Sequence, residues 1–164
     1  VNNNFPQITD EKELSNKHDK ELFLKAEVLL NEDQLLDILD TLEGNQSIRI
    51  EEIHLIDGLI NFYSKSANEY LNKEIDTNRR WLFNALSDLA GFISQNFDKW
   101  PYKQDDDNYQ VCLHPTTNCD RGGDLTSECY AQHHWLSTEM LKKIKKTAKE
   151  YSKFRRAIKE SLYL

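Results

Sequence analysis

The stretch that decides the fold reads SIRIEEIHLIDGLINFYSKSANEY (Ser47–Tyr70) and, after a short link, TNRRWLFNALSDLAGFISQNFDKWP (Thr77–Pro101). In the first part Ile53, Ile56, Ile60, Tyr63, Ala67 and Tyr70 recur every three or four residues. Wound at 3.6 residues per turn, that spacing turns one apolar seam toward a neighbour. Ser47 is the expected cap. In the second part Leu82, Leu86, Leu89, Ile93 and Phe97 share one face, with Thr77 or Asn78 as N-cap. Trp100–Pro101 ends it, because a residue before proline is pushed out of the α region. The connection at Asp76–Asn78 is short, so the two helices are expected to be antiparallel neighbours.

Working toward the C-terminus, Leu141, Ile144, Ala148, Tyr151, Ile158 and Leu162 give a third long seam, with Asp124 as its expected N-cap. Between the second and third helices, about 101–124, the period vanishes. Asp105–Asp107, Pro115–Asn118 and Arg121–Gly123 are loop chemistry, although Tyr109, Val111 and Leu113 alternate as a short strand would. Toward the N-terminus, Asn31 caps a segment carrying Leu35, Leu36, Ile38, Leu39 and Leu42, and Gly44–Asn45 supplies its stop. Leu22, Phe23, Ala26, Leu29 and Leu30 make Glu21–Leu30 helical, while Phe23, Lys25, Glu27 and Leu29 leave a strand reading open. Residues 1–16 are polar without a sustained period and read as a flexible arm; 17–164 read as one helical domain. The expected fold is all-α: an up-and-down bundle of three long helices, one or two shorter N-terminal helices, and a long loop before the last helix.

The chain has 164 residues, 30% charged, with 5 Gly and 3 Pro, too few for an architecture of many strands and tight turns. No run approaches 18 apolar residues, so no membrane span is expected. Val1–Pro6 shows no secretory signal, and three cysteines are a poor disulfide framework, so a reducing cytoplasm is the expected location.

Net charge is −7, unevenly placed. Residues 1–60 hold 14 acidic and 5 basic side chains, whereas 136–164 hold 3 acidic and 9 basic. Two readings fit the basic run: the wet face of an amphipathic helix, or a nucleic-acid contact strip using Lys142, Lys145, Lys146, Lys149, Lys153 and Arg156. The acidic front half is either ordinary solvated helix surface or a recognition face for a basic protein.

One cluster has ligand chemistry. Cys112, His114, Cys119, Cys129 and His133 follow the order C-x-H-x4-C-x9-C-x3-H, with Cys129 and His133 one helical turn apart. Zinc takes four such ligands in a tetrahedron, although the paired C-x2-C knuckle of specific zinc motifs is missing. The competing reading makes Cys129 a small core residue and the others loop residues. Thiol catalysis around Cys119 lacks any surrounding signature. There is no phosphate loop, no G-x-S-x-G, no H-E-x-x-H and no EF-hand loop. Trp81 and Trp135 are expected to border the core, with Trp100 against Pro101.

The functional expectation is a small acidic cytoplasmic interaction protein, of inhibitor, immunity or adaptor type, that binds a protein partner. The alternative is a nucleic-acid-binding or processing factor, or an enzyme, using a Cys/His/Asp loop at 112–134 that holds zinc. The helix seams can pair within one chain or across a homodimer.

Overall fold

A computed structural model describes residues 7–118, 121–123 and 126–164. Helices dominate: α1 (Gln7–Leu29), α2 (Glu32–Asn45), α3 (Ile50–Ser64), α4 (Lys73–Asn96) and α5 (Ser127–Leu162). Three short strands accompany them, β1 (Ser47–Arg49), β2 (Phe97–Lys99) and β3 (Gln110–Leu113).

The strands correct the purely helical expectation. They form one antiparallel sheet in the order β1-β3-β2, pairing Ile48 with Val111 and Phe97 with Leu113. Ser47 therefore opens a strand and not a helix, and α3 starts at Ile50. The sheet gathers the end of α2, the start of α3 and the end of α4 at one place. It also anchors part of the segment expected to be an irregular loop.

That segment is held by side chains that imitate a strand. Gln104 accepts from the Gln110 amide (2.8 Å) and donates to the Gln110 carbonyl (3.0 Å). Asn108 accepts from the Glu51 amide (3.0 Å) and donates to the Glu51 carboxylate (2.8 Å). The loop is thereby pinned to the first turn of α3.

Helix starts follow local chemistry. Asn31 and Gln34 form the capping box of α2, each side chain bonding the other's amide. Asn72 caps α4 by accepting from Glu74 and Ile75, so α4 begins earlier than Thr77. Thr126 caps α5. At the end of α2, Gln46 takes the left-handed conformation (φ 51°) just past the expected Gly44–Asn45 stop. The N-terminal reading needs a larger correction: α1 is helical from Gln7, through ten residues assigned to the arm, and the rest of that arm lies outside the described residues.

The core is continuous. Leu82, Leu86, Leu89 and Ile93 of α4 are buried with Met140, Ile144 and Ile158 of α5, and Leu35, Ile38, Leu39 and Leu42 of α2 join them. Ala67 departs from its expected seam, because α3 stops at Ser64 and leaves it exposed beyond the helix. At one end Phe154 sits among Phe23, Tyr63 and Tyr70, with ring centroids 6.4, 5.9 and 5.8 Å away. A polar joint lies beside them. Asp19 of α1, fully buried, accepts from the amides of Leu71 and Asn72, while Arg79 donates to Asp76 and to the Tyr63 carbonyl.

Three tyrosines make stability sensitive to alkali. Burial raises the Tyr63 phenol well above its ordinary value, aided by Tyr70 and Tyr151; burial likewise raises Tyr70 and Tyr151. A raised pKa means the folded chain keeps protons that the unfolded chain has lost. Stability is expected to be undiminished by these groups below about pH 10, the unfolded phenol value, and to fall as pH climbs above it. Urea unfolding midpoints followed from neutral to about pH 11 measure this; a flat profile would contradict it.

Candidate functional site

The described members of the expected zinc set lie on two elements, Cys112 and His114 in or just after β3 and Cys129 and His133 in α5. Cys112 is fully buried in the central strand, its sulfur accepting from the Gln110 side-chain Nε2 (3.3 Å) and its thiol 3.9 Å from the Trp100 carbonyl. His114 turns the chain out of β3 with φ 32°, donating its amide to Asn96. Cys129 lies in the first turn of α5, its amide on the Thr126 hydroxyl. His133, one turn on, lines a polar cleft of about 510 Å³ with Asn45, Gln46, Trp100, Asn118 and Arg121. Cys119 lies outside the described residues. Among the described residues no three His, Cys, Asp or Glu side chains are placed to share a metal ion.

The cation strip is real as a surface. Lys142, Lys145, Lys146, Lys149, Lys153 and Arg156 are all exposed on α5. Half of them have carboxylate partners: Lys142 with Glu139 (2.6 Å), Lys146 with Asp88 (2.9 Å) and Lys153 with Glu150 (3.0 Å). The Lys146 hydrogen bond holds the Asp88 carboxyl below its ordinary value. Lys145, Lys149 and Arg156 form no ion pair among the described residues. Arg155 does other work, joining α5 to Glu27 and Glu32 at 2.9 Å each.

Sequence reasoning missed a third place altogether. Between α3 and α4 runs an apolar groove of about 570 Å³, walled by Ile50 and Ile53 on one side and Ala90, Gly91 and Ser94 on the other. Phe97, Tyr109 and Val111 of the sheet region close one end. The groove is open where α4 presents Ala90, Gly91 and Ser94; Ile93 is the large side chain that this helix adds to the lining. Gly91 is telling: it sits inside a long helix, where glycine costs about 0.5–1 kcal/mol relative to alanine. A Cβ at Gly91 would meet nothing within 4 Å, so no packing need excludes a larger residue.

The rim of this groove is acidic. Asp57 lines it directly, and the adjoining hollow, which shares Ile50, is bounded by Glu51, His54, Asp106 and Asp107. Asn108 fixes the loop that carries these aspartates, since its amide also binds Asp106 (2.9 Å). Two cations stand close: Lys99 lies over the Tyr109 ring at 4.6 Å, and Arg49 donates to the Asn108 carbonyl (3.2 Å). The only sequence signal for the groove was the run Ala90–Gly91 inside a strong helical period.

No protein-family model matches the chain, and no curated protein or solved structure matches it significantly. Among the described residues no helix is long and apolar enough to cross a membrane.

Proposed function

We propose that this is an interaction protein that binds a basic, amphipathic helical segment of a partner protein in the groove between α3 and α4. The supporting observation is the juxtaposition of an open apolar floor with a carboxylate rim. A helix carrying apolar residues at i, i+3/i+4 and i+7 fits such a floor, and lysines or arginines beside that stripe meet Asp57, Glu51, Asp106 and Asp107. Burial of the apolar stripe supplies most of the affinity; the acidic rim speeds encounter and selects the charge of the partner. Gly91 and Ala90 keep the floor open. Inhibitor, immunity and adaptor roles all operate through a surface of this kind, and the overall negative charge favours a basic partner.

The test is a titration with a synthetic helical peptide bearing a leucine stripe and lysines, against the same peptide with glutamates for lysines. Micromolar binding of the basic peptide is expected, with at least tenfold weaker binding of the acidic one. Asp57→Lys with Asp107→Lys should weaken the basic peptide at least tenfold while barely moving the melting temperature, since both side chains are exposed. Equal binding of the two peptides would end this reading.

A further inference from the structure

The two tryptophans expected to border the core are exposed, Trp81 by 56% and Trp135 by 61%. Their positions matter more than their exposure. Successive residues turn about 100° around a helix, so the six strip cations of α5 fall within about 100° of one another, and Trp135 falls inside the same sector. Lys142 to Arg156 spans about 21 Å, roughly one or two cations per turn, and Trp135 stands about 10 Å beyond the Lys142 end.

Trp81 belongs to the neighbouring helix but reaches the same surface. Lys146 pairs with Asp88, Thr147 donates to the Ala85 carbonyl (3.4 Å), and Lys143 lies over Phe92. Those contacts run α4 antiparallel to α5. Seven residues before Asp88 on α4 is Trp81, on nearly the same helical face; seven residues after Lys146 on α5 is Lys153. The register thus places Trp81 beside the Lys149–Lys153 end. One indole stands near each end of a cationic track.

We infer that this α4–α5 face binds single-stranded nucleic acid, the phosphates tracking along the unpaired Lys145, Lys149 and Arg156 and the bases stacking on Trp81 and Trp135. A flat indole face accepts any base, and a row of cations accepts any backbone, so the binding would be sequence-tolerant. A lipid surface fits less well, because the strip offers two indoles and no band of aliphatic side chains to enter the bilayer. An acidic protein would use the cations but leave the stacking geometry without purpose. The surface is separate from the α3–α4 groove, so it stands or falls independently of the proposed protein partner.

The experiment uses the whole chain and a fluorescent oligothymidylate of about 16 nucleotides, read by anisotropy and by tryptophan emission. Expected are binding at 50 mM salt with quenched indole emission, and about fiftyfold weaker binding at 200 mM if some four phosphates are neutralised. Lys145→Glu with Lys149→Glu should cost at least tenfold in affinity without lowering the melting temperature. Trp81→Ala and Trp135→Ala should each cost about fivefold or more, with Phe at either position restoring most of it. Any of three results would overturn the inference: no binding at 50 mM salt, undiminished binding by the lysine variant, or equal affinity for polyglutamate or for phosphatidylserine vesicles.

Discussion

Replacing Phe154 by alanine should destabilise the protein by about 3–5 kcal/mol, the range for truncating a buried phenylalanine. The ring is 1% exposed and is the common neighbour of Phe23 from α1, Tyr63 from α3 and Tyr70 from the turn before α4. Three regions far apart in sequence, α1, the stretch 63–70 and α5, therefore meet at one side chain. Removing it leaves a void that the surrounding rings cannot fill, because Tyr63 is tied through its carbonyl to Arg79 and Tyr70 through its amide to Asp76. Calorimetry should show a melting temperature lower by about 10 °C or more. Phe154→Leu, which keeps much of the volume, should lose well under half as much. A loss below about 1 kcal/mol for the alanine variant would mean that these helices do not converge there.

The second large effect is expected at Asp19. Its two carboxylate oxygens accept from the amides of Leu71 (2.8 Å) and Asn72 (2.9 Å), fastening α1 to the residue that caps α4. Asp19→Ala removes both acceptors from a fully buried position and should cost about 3–6 kcal/mol, since hydrogen bonds to a charged group are worth about 1.5–3 each. Asp19→Asn retains one oxygen acceptor and should fall between wild type and alanine. Hydrogen exchange offers a local check: the amides of Leu71 and Asn72 should lose protection in the alanine variant before the middle of α4 does.

Long periodic segments are legible in the sequence, and among the short strands β3 is, through the alternation of Tyr109, Val111 and Leu113. Leu82, Leu86, Leu89 and Ile93 declare α4 because twenty-odd residues repeat one period, and the Asn31 cap declares α2. Ser47–Arg49 and Phe97–Lys99 are three residues each, too few to show a period of two, and both abut helices whose pattern absorbs them. The N-terminal part of α1 reads as an arm because its apolar positions are sparse; its residues are helical without a strong apolar stripe.

At the candidate sites the same logic cuts differently. Trp81 and Trp135 were placed by size, yet both stand off the apolar seams of their helices, and position on the helix decided their exposure. The strip of lysines was readable because charge alternates with a visible apolar seam. The groove was unreadable because it is made by small residues, Ala90, Gly91 and Ser94, whose lack of bulk matters only once α3 and the sheet are set opposite them. The cysteine–histidine cluster is legible as nearness in sequence, whereas its division between two elements is not: Cys112 is buried in β3, and Cys129 and His133 are carried by α5.

The proposed binding of a protein partner turns on the α3–α4 groove being an open seat for a partner helix. Gly91→Leu tests it most directly, because the new side chain enters vacant space and a better helix former replaces glycine. Calorimetric titration of this variant with the basic amphipathic peptide should show loss of measurable binding, while a thermal scan gives a melting temperature equal to or above that of wild type. Full wild-type affinity in a folded Gly91→Leu protein would contradict the account.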